Sequence, residues 1–128
     1  MPMQDLRKSE MMAHLLDALA AGQDIGHYGR LVFAMVARHF ASEEELTELL
    51  GNNLPEDEAR ALVKQVQVRD YNPPRRERIL EWQQRQDFPI CPSPDDPRAC
   101  NVYRDLQFPE GIYEDIEEFY EEMVESAR

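Results

Sequence analysis

Apolar residues recur along the chain at helical spacing. Met12, Leu15, Leu16 and Leu19 fall on one face and predict a helix over about 4–21. Gly22 follows, where a left-handed cap would end it. Asp24 then suits the start of a second helix, about 25–40, whose stretch Leu31-Val32-Phe33-Ala34-Met35-Val36-Ala37 is apolar on every side. A helix apolar all round is normally buried all round, so this segment is expected at the centre. Gly26 and Gly29 would let a neighbouring helix approach it closely.

Ser42 with Glu45 forms a capping box that opens a third helix carrying Leu46, Leu49 and Leu50, ended by Gly51. Pro55 suits the first turn of a fourth, with Ala59, Leu62, Val63 and Val66 inward. Asp70-Tyr71-Asn72-Pro73-Pro74 breaks it, and a fifth helix is expected from Pro73 or Pro74 to about Gln86, capped by Asn72. Residues 87–108 show no period and contain Pro89, Pro92, Pro94 and Pro97, each of which lacks a backbone donor. A long irregular loop is expected there, packed on the body through Phe88, Ile90, Val102, Tyr103, Leu106 and Phe108. A last helix is expected from Pro109 to about Ser126, apolar at Ile112, Tyr113, Ile116, Phe119, Tyr120 and Met123, and acidic elsewhere. No alternating strand pattern interrupts this. The expectation is one all-α domain over 1–128, five or six helices around the central one.

Charge changes the picture. The 128 residues hold 14 Lys and Arg against 26 Asp and Glu, a net charge of −12. The distribution is uneven: residues 60–86 carry a net +4 between blocks of −7 and −9. On a helix from Pro73, residues Arg75, Arg78, Trp82 and Arg85 would share one sector with Arg76 beside it. Guanidinium forks around an indole suit phosphates, carboxylates or a stacked base. The preceding helix and break also follow the order of a helix-turn-helix reader. Against that stands the overall acidity, which disfavours a nucleic-acid partner, and an alternative in which Trp82 and Ile79 face the core while the arginines pair with the acidic last helix.

Other chemistry is sparse. Cys91 and Cys100 sit in the irregular stretch, and with His14, His27 and His39 scattered they do not complete a four-ligand zinc set. Two reduced, partly buried thiols are expected there, with metal or redox use as the lesser alternative and a disulfide unexpected in the cytosol. His39 reads as a hydrogen-bonded core or boundary residue, and His14 as part of an ion-paired patch with Glu10 and Asp17. Asp95-Asp96-Pro97 reads as a turn. Only five serines and threonines (Ser9, Ser42, Thr47, Ser93, Ser126) are present, and no phosphate-cradling loop or nucleophile elbow. The expectation is a cytoplasmic, cofactor-free, non-enzymatic module that docks a protein partner through the irregular loop and its flanking helices, with no membrane association. The polar first ten residues motivate the cytoplasmic placement.

Overall fold

The computed structural model of the chain describes residues 3–109 and residue 112. Among these it is all-helical, with no strand. A 3-10 helix (Met3–Lys8) leads into α1 (Glu10–Ala20), α2 (Gly26–Ala37), α3 (Glu43–Leu50), α4 (Glu56–Val68), α5 (Arg76–Gln83) and a short α6 (Val102–Asp105). The last helix expected from Pro109 to Ser126 lies, apart from Pro109 and Ile112, outside the described residues, as does its pairing with the arginines.

The helix expected over 4–21 is two pieces. Ser9 separates them: its hydroxyl is fully buried and accepts from the Met12 N–H at 3.2 Å, capping α1. At the far end Gly22 takes φ +74°, and the N–H groups of Gly22 and Gln23 reach back to the carbonyls of Leu19 and Ala18. This is the left-handed closure a glycine allows.

Helix α2 is the centre, as its composition demands. Val32 through Ala37 are buried and Leu31 is half-buried, with α1, α3, α4 and α5 packed around them. Burying Phe33 and Val36 completely contributes about 1.5–3 kcal/mol each, which outweighs the weak helix propensity of β-branched and aromatic residues. The start of α2 differs from expectation. Asp24 does accept from the Gly26 N–H at 2.9 Å and pairs with Arg30 at 2.8 Å, which together hold its carboxyl below the usual range. The first turn itself is satisfied by Gln86. Its Oε1 accepts from the N–H of Tyr28 at 2.9 Å and of Gly29 at 3.4 Å. Its Nε2 donates to the carbonyls of Ile25 at 2.8 Å and Phe88 at 3.0 Å. Gly26 and Gly29 therefore admit this side chain rather than a neighbouring helix. A Cβ on Gly26, which sits at φ +80°, would lie 2.5 Å from Gln86 Oε1.

The capping box of α3 is complete, Ser42 and Glu45 each bonding the other's backbone N–H. Asn52 and Asn53 in the α3–α4 turn bolt it to the α1–α2 turn. Asn52 donates to Leu19 O at 2.9 Å, while Asn53 donates to Gln23 O at 2.8 Å and accepts from Ile25 N at 3.0 Å. Arg38, past the end of α2, donates to the Asp70 carboxylate at 2.8 Å and the Tyr71 carbonyl at 3.0 Å, tying the ends of α2 and α4 together.

Helix α5 begins at Arg76, not at Pro73 or Pro74. Each residue preceding a proline is pushed out of the helical region, so the double proline cannot sit inside a helix start. Arg75 becomes the extended N-cap residue and Asn72 caps nothing. Residues 84–101 then form a strap without helix, and α6 interrupts the region expected to be irregular throughout.

Candidate functional site

The later start of α5 breaks up the basic sector. Within α5 only Arg76, Arg78 and Trp82 remain; Arg75 precedes it and Arg85 follows it. Arg75 is half-buried and is not free. Arg76 turns inward along the strap. Its Nε donates to Ala99 O at 3.1 Å, and its terminal nitrogen donates to Pro94 O at 2.7 Å and Asp96 O at 3.1 Å. Three of its five N–H donors are thus spent on strap carbonyls, which makes Arg76 a clamp.

Arg78, Trp82 and Arg85 do face outward together. Trp82 is half-buried and stacks on Tyr28 of α2, ring centroids 5.8 Å apart and planes 20° apart. His27 meets Tyr28 edge-on at 5.1 Å. The Arg78 guanidinium lies 5.9 Å from the indole centroid on Trp82. Arg85 pairs with Glu81 at 3.3 Å, and the Tyr28 hydroxyl and Glu81 together raise its already high pKa. Arg78 and Arg85 remain more than half exposed. The result is a short row of rings, His27, Tyr28 and Trp82, edged by two arginines and one carboxylate. Tyr28 and His27 were not part of the sequence-derived sector; their place beside Trp82 follows from α2 packing on α5, which no local spacing encodes.

The expected pair of reduced thiols is corrected. Cys91 and Cys100 are joined in a disulfide, with Cα atoms 5.8 Å apart, and both are buried. A bonded sulfur has no thiolate to offer a metal, and among the described residues no group of three His, Cys, Asp or Glu side chains could hold one. Spacing alone gave no signal for the bond: the turns at Asp95-Asp96 and the Arg76 clamp fold the strap back on itself. Asp96 accepts from the Arg98 N–H at 2.9 Å, the turn role its sequence suggests.

The histidines separate. His14 stacks on Phe88 at 5.1 Å and its Nε2–H donates to Pro89 O at 2.9 Å, so it anchors the strap instead of joining an ion-paired patch. Its expected partner Asp17 is taken by Arg7 at 3.0 Å. His39 is the boundary residue expected, but among the described residues its buried Nε2 has no hydrogen-bond partner. Burial first, and the Arg38 charge second, lower its pKa to about 4. A shallow cleft between α3 and α4 is lined by Glu44, Thr47, Glu48, Glu56 and Arg60, where Arg60 already pairs with Glu56 at 2.7 Å. No helix among the described residues is long and apolar enough to cross a membrane. No protein-family model matches the chain, and no curated protein or solved structure is detectably similar to it.

Proposed function

We propose that this chain is a non-enzymatic interaction module that binds a partner protein through the α5 face and the adjoining strap. One observation carries the reading: Tyr28 and Trp82 stack at the surface with Arg78 laid over the indole and Arg85 beside it. Aromatic rings and arginine are the residue types that dominate the energetics of protein interfaces. The partner surface that fits offers a carboxylate to Arg78 and Arg85 and a flat apolar group to the indole.

The nucleic-acid reading loses support from the geometry. Of the five residues assembled for it, Arg76 is committed to the strap, Arg75 is engaged, and Glu81 sits between the remaining two arginines. Its test is salt-dependent oligonucleotide binding, which this reading expects to be absent. The cytoplasmic placement expected from the sequence is not part of this reading, because the Cys91–Cys100 bond favours a compartment in which thiols are oxidised.

The experiment is selection of binders from an immobilised library of short peptides of defined sequence. Selected peptides should pair Asp or Glu with an aromatic or proline residue. Trp82→Ala with Arg78→Ala should weaken them by at least about tenfold, the loss of one interface anchor. Selection indifferent to both substitutions and to replacement of residues 87–108 would remove the reading.

A further inference from the structure

The ring closed by Cys91 and Cys100 is held twice over. Its covalent closure is buried, with the cysteines 0% and 3% exposed. Its backbone is gripped from α5, Gln83 accepting from the Cys91 N–H at 2.8 Å and Arg76 donating to the carbonyls of Pro94, Asp96 and Ala99. Cys100 itself sits at φ +64°, a left-handed conformation that a side chain with a Cβ resists. Such a conformation persists where its surroundings over-determine it. Here the disulfide and the Arg76 bond to the adjacent Ala99 carbonyl do so from both sides.

Thiol–disulfide exchange needs a thiolate to reach a sulfur in line. In the closed strap neither sulfur is open to an outside molecule. We propose that the reduced chain is the substrate of a thiol–disulfide exchange with a disulfide-bearing oxidant, that this step takes place while the strap is open, and that closure by Arg76 then seals the bond against reductants. In the exchange, one cysteine thiolate attacks the oxidant's disulfide, forming a mixed disulfide and releasing one oxidant thiolate. The second cysteine thiolate attacks the chain's sulfur in that mixed disulfide and releases the other. Two protons and two electrons pass from the chain's thiols to the oxidant, which leaves as a dithiol or two thiols.

The test uses the full chain. Dithiothreitol reduction is followed by maleimide trapping, with labels counted by mass. Reduction of the native chain should be at least about a hundredfold slower than in guanidinium, because only a locally opened state exposes the sulfurs. Arg76→Ala should speed native reduction by about tenfold, the effect of losing a charge-assisted hydrogen bond. Oxidised glutathione present during refolding of the reduced chain should close the bond faster than the same reagent added after refolding. A reduced chain that never closes its strap and oxidises as readily as in denaturant also supports the order of steps. Equal reduction rates in native and denaturing solution would overturn the sealing, and so would an Arg76→Ala chain as resistant as the parent. Equal oxidation of an open and a demonstrably closed reduced chain would overturn the order.

Discussion

His39 lies edge-on to Phe108, ring centroids 5.5 Å apart and planes 83° apart. Phe108 also meets Phe40 and Tyr103 at 5.5 and 5.6 Å, so one ring gathers the residues just past α2 and Tyr103 of α6. Neutral imidazole suits this contact, and a charged one would carry its proton into a site where its Nε2 is buried.

A pH dependence follows from that contact. The folded-state pKa of His39 is lowered from 6.5 to about 4. Below 6.5 the unfolded chain binds a proton that the folded chain refuses, so unfolding gains ground as pH falls and levels off near 4. Above 6.5 the residue contributes no slope. His39→Gln should flatten the stability curve between those two values, as read by urea unfolding at a series of pH values. An unchanged slope in the variant would assign the effect to other groups.

Phe108→Ala should destabilise the chain by about 3–5 kcal/mol, the cost of a large ring lost from a buried site. It should also raise the His39 pKa toward its ordinary value, because water reaches the imidazole. Proton NMR titration of the His39 ring reads the second effect independently of the first.

Arg76→Lys should weaken the strap nearly as much as Arg76→Ala. One ammonium cannot reproduce a planar fork donating to Pro94, Asp96 and Ala99 at once. The expected loss is about 1.5–3 kcal/mol for hydrogen bonds made by a charged donor. Faster amide exchange in residues 94–101, with α1 and α2 unaffected, is the signature.

Gln86→Ala should cost about 1–3 kcal/mol, since it strips the N–H of Tyr28 and the carbonyl of Ile25 of their partner at a partly buried helix start. Gln86→Glu should recover little of this. A carboxylate accepts from Tyr28 and Gly29 but faces the carbonyls of Ile25 and Phe88 with no proton to give. Thermal unfolding of the two variants side by side makes the comparison.

The elements most legible in the sequence were those whose signal is local. Leu31 to Ala37 announced the central helix because seven apolar residues in a row satisfy every direction of burial. Ser42 and Glu45 announced a cap because the two partners lie three residues apart. What was missed depends on contacts across long separations. The expectation of free thiols rests on the cytosolic placement, and it fails where the strap folds back through Arg76 and brings Cys91 to Cys100. The sector of Arg75, Arg78, Trp82 and Arg85 assumed a helix running through the double proline, and its real neighbours, Tyr28 and His27, come from another helix. Gln86 drew no notice, because a glutamine has no preferred role until the backbone it meets is known.

Helix α2 is finished by a side chain 58 residues downstream of the N–H it satisfies. During synthesis the apolar middle of the protein therefore leaves the ribosome before the group that completes its first turn exists. Any product terminated ahead of residue 86 carries the greasiest segment of the chain with that end open, the condition in which chaperones and proteases take hold.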